Sequence, residues 1–179
     1  MSDVLSPSLQ HLNMSHIRAF DTKPEVMLRH ALWRLGFRYT INEHRLPGSP
    51  DIVLPKYRTA IFVHGCFWHG HKGCKYYTIP KTNTYFWVTK VARNQERDQE
   101  AWRKLVAKGW GVIIIWECQL KKGKLDETVE LVAAEIVKNG EAYRTEQEAR
   151  RKMREEYCRE QKARKERETA LMAEVSNEL

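Results

Sequence analysis

A short stretch near the middle of the chain carries most of its chemically versatile side chains. Residues 58–74, RTAIFVHGCFWHGHKGC, contain three histidines, two cysteines and an adjacent Phe–Trp pair. The apolar residues near its start predict a buried strand, and the mixed remainder predicts a loop that follows it. Imidazole and thiolate groups bind zinc, and imidazole also transfers protons near neutral pH. The stretch therefore combines the ligands of a metal site with the groups of acid–base catalysis.

The spacing of cysteine and histidine favours a structural zinc ion. Cys66, His71 and Cys74 share the loop, and Cys118 follows the next strongly apolar segment. Neighbouring strands of one sheet would bring the two places together, and four nitrogen or sulfur ligands form a closed structural zinc site. His69 competes with His71 for the histidine position, and a set of buried free thiols is the alternative to zinc.

Two aspartates can complete a catalytic site around the remaining histidines. Asp51 opens a predicted strand after a Pro-Gly-Ser-Pro turn, and the following strand brings His64 beside it. A carboxylate there can hold Mg²⁺, or can serve only as a turn residue. Asp98 lies on the inward stripe of a predicted helix, where a carboxylate needs a partner. His69 suits that role and would accept a proton from water, whereas solvent or Arg97 is the alternative partner.

The elements around these residues follow from hydrophobic periodicity and turn residues. A first helix begins after Thr22 and ends at Gly36, with Glu25 either completing a capping box or facing the metal. Its predicted inward residues are Leu28, Ala31, Leu32 and Leu35. Strands are predicted at residues 37–42, 51–54, 59–63 and 111–116, and further helices at residues 84–108 and 126–139, the last ending at Asn139-Gly140. This order predicts an α/β fold with a mixed sheet flanked by helices.

Beyond about residue 143, Arg, Lys and Glu dominate the sequence. Such a composition predicts one long charged helix with i,i+4 ion pairs, or partial disorder. The 179-residue chain has a net charge of +8 and six tryptophans, which suit a polyanionic partner, and a basic protein with no nucleic-acid role is the equally weighted alternative. No apolar run reaches the length of a membrane span and the N-terminus lacks a signal pattern. We therefore expect an intracellular protein with no membrane partner.

Two aromatic pairs, Phe67-Trp68 and Phe86-Trp87, flank the predicted site. Aromatics inside a tight metal loop have little room to bury, and exposed bulky side chains can act as wedges between base pairs. An ordinary core position is the alternative, and it is a stronger reading for Phe86 than for Trp68.

Several motifs, taken in order, resemble those of the very-short-patch mismatch repair endonucleases, a family similar in fold to restriction-type nucleases. The motifs are DTKPE (21–25), LPGSPD (46–51), FVHGCFWH (62–69), PKTN (80–83), FW (86–87), NQERD (94–98), GWGV (109–112) and WEC (116–118). The resemblance begins near Asn13, ends at Cys118, and depends on the order and spacing of all the motifs together.

This resemblance implies a restriction-endonuclease-like fold and a Mg²⁺-dependent nick in double-stranded DNA beside the thymine of a T·G mismatch, which arises when 5-methylcytosine deaminates. The candidate catalytic residues are Asp51, His64, His69, Asp98 and Glu25. Mg²⁺ would bind the carboxylate of Asp51 and the backbone carbonyl of Val63. Structural Zn²⁺ would bind Cys66, His71, Cys74 and Cys118. The side chains implied to intercalate beside the mismatch are Phe67, Trp68 and Trp87.

The expected domains are a DNA-binding arm (1–21), an endonuclease domain (22–142) and a charged tail (143–179), to which the resemblance assigns nothing. We expect a monomer at the nucleoid of a bacterial-type cytoplasm, with other repair proteins as candidate partners of the tail. Gly73 lengthens the ligand loop, and Ser49 replaces an arginine common in the family. The alternative functions are a related nuclease with another DNA target and a non-catalytic zinc-containing DNA-binding module.

Overall fold

The computed structural model describes residues 20–177, with side chains up to residue 169. The helices are α1 (Lys23–Arg34), α2 (Thr84–Ala107) and α3 (Leu125–Asn177), and the strands are β1 (Thr40–Ile41), β2 (Ile52–Leu54), β3 (Thr59–His64) and β4 (Gly111–Trp116). Short 3-10 turns follow two of the strands, at Pro55–Tyr57 and Glu117–Leu120. Nearly all of the predicted N-terminal arm lies outside the described residues.

The four strands form one mixed sheet in the order β1-β2-β3-β4. β2 pairs antiparallel with both β1 and β3, whereas β3 and β4 are parallel. The parallel register joins Thr59 to Gly111 and His64 to Trp116, so both strands end at the same edge of the sheet. A parallel pair needs a long crossover, which the metal loop and α2 provide.

Helices cover both faces of this sheet, as expected for a buried parallel pair. On one face, side chains of α1 and α3 share a core with alternate strand residues, including Leu28, Leu32, Ile61, Ile113, Val132 and Ile136. On the other face, Leu105 of α2 packs with Ala60 and Phe62. The predicted α/β fold class, a mixed sheet flanked by helices, is confirmed.

The end of α1 explains why the predicted strand at residues 37–42 is too long. Gly36 adopts a φ of +89°, and the N–H of Phe37 returns to the carbonyl of Leu32 at 3.1 Å. This Schellman closure uses Phe37 to terminate the helix. Only Thr40–Ile41 remains free to pair with β2.

The predicted inward position of Leu35 on α1 is wrong. Leu35 is 55% exposed, whereas Leu28 and Leu32 are fully buried. The helix ends at Arg34, so Leu35 is the C-cap residue, and it lies outside the core cluster that buries Leu28 and Leu32.

The predicted helix end at Asn139-Gly140 is also wrong, because α3 continues through both residues to Asn177. Asn139 packs against the backbone of Gly111, where an added Cβ would lie 2.3 Å from its side-chain nitrogen. A glycine inside a helix costs only about 1 kcal/mol. Beyond it, i,i+4 ion pairs such as Arg150–Glu146 at 2.6 Å and Arg164–Glu168 at 2.9 Å support the helix.

The chain divides into two compact units, one ending at Asn139 and the other beginning at Gly140. The first contains the sheet, α1, α2 and the first turns of α3. The second is a charged helix, which is the helical form of the tail expected from its composition. Among the described residues, no helix has both the length and the apolar content needed to cross a membrane.

Leu32 and Leu35 offer a test of this core with a matched control. Leu32→Ala should lower the free energy of unfolding by about 2–5 kcal/mol, because it empties fully buried space. Leu35→Ala, at the exposed end of the same helix, should change it by less than about 0.5 kcal/mol. Denaturant unfolding measures both, and equal losses would contradict the exposed position of Leu35.

Candidate active site and metal centre

Asp51, the residue before β2, lies at the same edge of the sheet as Val63 and His64, the last two residues of β3. The N–H of Val63 donates to the carboxylate of Asp51 at 2.7 Å. This edge forms one wall of a cleft of about 750 Å³. The candidate catalytic residues lining the cleft are Glu25, Asp51, His64, His69 and Asp98. The structure thus brings together the full set of candidate catalytic residues.

Asp51 has the electrostatics of a cation ligand. Burial raises the pKa of its carboxyl group to about 6, the Val63 N–H opposes that rise, and the nearby negative charge of Glu25 adds to it. A cation between two carboxylates would favour the ionised form of both. The carboxylate and the adjacent backbone oxygen of Val63 are hard oxygen donors of the kind that Mg²⁺ accepts.

Glu25 is buried and receives hydrogen bonds from three neighbours. The backbone N–H of Asp21 donates at 3.0 Å, the hydroxyl of Thr22 at 2.6 Å and the guanidinium of Arg29 at 2.9 Å. The predicted capping box is therefore wrong, because the Thr22 hydroxyl donates to this carboxylate and makes no cap bond to the backbone. The sequence analysis missed Arg29, although its i,i+4 spacing from Glu25 is a signal for such a pair.

His69 and Asp98 form the closest pair in the cleft, with Nδ1 and Oδ2 separated by 2.6 Å. When Asp98 is ionised, Nδ1 carries the shared proton and the lone pair of Nε2 is left for a water molecule. Arg97, the alternative partner of Asp98, donates instead to Asn94. This arrangement can serve as a general base with its orienting carboxylate.

His64 lies behind this pair, 4% exposed, with its ring stacked on that of His69 at 3.7 Å and 17°. Burial and, to a lesser extent, the neighbouring imidazole of His69 together lower the pKa of His64 to about 4, so the ring is neutral near pH 7. Donor atoms of His64, His69 and Asp98 lie close enough to share an ion. However, nearly parallel rings cannot both direct their in-plane lone pairs at one metal. The geometry suits proton transfer and phosphate contact better than a second metal site.

The predicted zinc ligands also lie together. Donor atoms of Cys66, His71, Cys74 and Cys118 all lie within 4.8 Å of one another. The distance from His71 Nδ1 to the sulfur is 3.5 Å for both Cys66 and Cys118. In a zinc tetrahedron the sulfur–nitrogen edge is about 3.6 Å, given bonds of about 2.3 and 2.1 Å. The donor set therefore fits a tetrahedral metal, with His71 rather than His69 beside the thiols.

The thiols have properties expected of a site built around a cation. Burial raises the pKa of Cys66 to about 12 and also raises that of Cys118, whereas the Tyr76 N–H lowers the pKa of Cys74. A bound metal would convert the buried thiols to thiolates. The ring of His71 stacks on Trp116 at 4.1 Å and 5°, which fixes its orientation.

The three predicted wedge residues form one cluster beside the cleft. The ring of Phe67 lies 5.2 Å from that of Trp68 and 5.3 Å from that of Trp87. All three side chains are half-buried. Phe86 is 56% exposed, so the alternative of an ordinary core position, which is a stronger reading for Phe86 than for Trp68, does not hold for it. It lies on the first turn of α2.

The chain offers a matched pair of cysteines to test the metal centre. Cys118→Ser should release the bound metal and lower the thermal midpoint by roughly 5–10 °C, because metal binding stabilises the fold. Cys158→Ser should change neither quantity, since Cys158 is exposed on α3. Metal analysis and calorimetry measure the two effects. Retention of a full complement of metal by Cys118→Ser would contradict the four-ligand site.

Comparison with known proteins agrees with the resemblance identified from the motifs. A family model described as DNA mismatch endonuclease Vsr matches residues 2–75. The type II nicking enzyme V.NmeAIP of Neisseria meningitidis is 47% identical over 121 residues, which cover 68% of this chain and 86% of that protein. The DNA mismatch endonuclease Vsr of Escherichia coli is 40% identical over 121 residues, which cover 68% and 77%. The chain therefore belongs to the Vsr family of DNA mismatch endonucleases.

Proposed function

We propose that this DNA endonuclease nicks one strand of double-stranded DNA beside the thymine of a T·G mismatch, with Mg²⁺ as its cofactor. The product would enter the repair of deaminated 5-methylcytosine. The observation that carries the proposal is the 2.6 Å contact between His69 and Asp98 in the same cleft as the buried carboxylate of Asp51. A relative named as a DNA mismatch endonuclease supports the choice of substrate.

In the proposed reaction, Nε2 of His69 accepts a proton from water as its oxygen attacks phosphorus. Asp98 orients the imidazole and stabilises its charged form. The bond from phosphorus to the leaving sugar oxygen breaks, and that oxygen takes a proton from solvent. His64, neutral and fixed by stacking, contacts the phosphate. Mg²⁺ on the Asp51 carboxylate and the Val63 carbonyl would stabilise the negative charge that develops.

Mismatch selectivity is assigned to Phe67, Trp68 and Trp87. A mismatched base pair costs less free energy to unstack than a matched pair. Aromatic side chains inserted at that step recover stacking energy, so they favour the mismatched site. Their place beside the cleft would put the inserted rings next to the phosphate that is cut.

The metal bound by the four-ligand centre is assigned as structural Zn²⁺, on the grounds of its sulfur and nitrogen donors and their spacing. We further assign residues 1–21 to a DNA-binding arm, residues 22–142 to the endonuclease domain and residues 143–179 to a tail that can bind other repair proteins. The enzyme would act as a monomer at the bacterial nucleoid.

The base assignment predicts a loss of chemistry without a loss of binding. His69→Ala and Asp98→Asn should each slow single-turnover nicking of a T·G duplex by about 10²–10⁴-fold, as expected when general base catalysis is removed. Asp126→Asn, an exposed aspartate at the start of α3, is the control. Labelled duplexes resolved on denaturing gels report the rate. Wild-type nicking by His69→Ala would rule out the assigned base.

The wedge assignment predicts a loss of discrimination. Trp68→Ala should weaken binding to T·G duplex by about 1–3 kcal/mol, the value of one base–aromatic stack, and should affect matched duplex less. Trp33→Ala is the control, because Trp33 is 53% exposed on α1 and lies outside the cleft.

A panel of T·G, other mismatched and matched duplexes, each with Mg²⁺ or EDTA, separates the proposal from its alternatives. Preference for another duplex would indicate a related nuclease with a different target. Tight T·G binding without cutting would indicate a binding module.

A further inference from the structure

Two side-chain amides of α2 hold the loop that carries the proposed base. Gln95 Nε2 donates to the carbonyl of His69 at 3.1 Å and to that of Gly70 at 3.3 Å. Its neighbour Asn94 donates to the carbonyl of Trp68 at 2.9 Å. The helix therefore contacts the backbone of three consecutive loop residues, 68–70, which run from the wedge residue Trp68 to the position before the proposed ligand His71.

The loop packs against α2 so closely at Gly70 that there is no room for a side chain at this position. Gly70 is buried and adopts a φ of +66°. A Cβ added there would lie 2.5 Å from Gln95 Nε2 and 2.7 Å from a methyl group of Val91. The loop can therefore reach the Gln95 amide only because Gly70 lacks a side chain.

We propose that Gln95 is a positioning residue for His69 in the reaction assigned above, on which this inference rests. Gln95 and Asp98 are three residues apart on α2 and so share one face of the helix. Asp98 fixes the ring of His69 and Gln95 fixes its backbone carbonyl, so one rigid helix holds this histidine at both ends. Gln95 does not itself contact the reacting atoms.

The proposal predicts an effect on chemistry that substrate binding does not share. Gln95→Met keeps the length of the side chain and removes the donor. Because a displacement of about 1 Å can cost up to about 10²-fold in rate, we expect kcat to fall by about 10–100-fold. KM for the T·G duplex, bound metal and the thermal midpoint should remain near wild-type values. Gln95→Lys, which restores an N–H donor on a flexible side chain one bond longer, should recover part of the rate.

Gln99→Met is the matched control, because Gln99 lies one turn further along α2 and is exposed. Full activity of Gln95→Met would overturn the proposal. A fall in activity matched by loss of metal or of thermal stability would also overturn it, since the role would then be structural. His69→Ala, measured in the same assay, distinguishes a failure of the positioning role of Gln95 from a failure of the base assignment of His69. If His69→Ala abolishes nicking while Gln95→Met does not, only the positioning role is wrong, whereas an active His69→Ala would refute the assigned base itself.

Discussion

The parallel pairing of β3 with β4 is the constraint on which the rest of the site depends. Its register places His64 opposite Trp116, so the chain leaves both strands at the same edge of the sheet. The loop after β3 and the turn after β4 therefore meet, and Cys118 reaches the thiols and imidazole of the loop. The antiparallel partner β2 begins at this same edge, which brings the Asp51 carboxylate to the backbone of β3.

Several side chains with different proposed roles lie within six consecutive residues of one loop. Residues 66–71 supply a proposed metal ligand, two proposed wedge aromatics, the proposed base, a glycine that contacts α2 and a second proposed metal ligand. Short backbone bonds, such as the N–H of His71 to the carbonyl of Cys66 at 2.9 Å, make the loop compact. The proposed metal centre would fix one end of the loop, and α2 contacts its middle through Asn94 and Gln95.

Local spacing in the sequence was sufficient to predict much of this arrangement. Hydrophobic patterns locate the strands along the chain, and the candidate ligands stand in the sequence just before or just after those strands. The sequence could not choose between His69 and His71, since only Gly70 separates them and the approach of α2 decides which one meets Asp98. It misassigned the role of Thr22 because the Glu25 carboxylate instead accepts hydrogen bonds from the Thr22 hydroxyl and from Arg29, one turn further along the same helix. It also ended α3 too early, because Asn139 serves in packing against β4.

The cleft is lined by several acidic side chains, although its proposed substrate is a negatively charged DNA phosphate. This repulsion indicates a role for a bound cation in the cleft. The chain as a whole carries +8, which attracts DNA. The cleft nevertheless contains four carboxylates, those of Glu25, Asp51, Asp98 and Glu117, against three nearby cations, those of Lys90, Arg97 and the Arg29 paired with Glu25. A phosphate entering this cleft would meet like charge, and the pKa of Asp51 is already raised by burial and by Glu25. A divalent cation at Asp51 would therefore serve binding as well as chemistry, because it removes the repulsion that would otherwise hold the scissile phosphate away from His69.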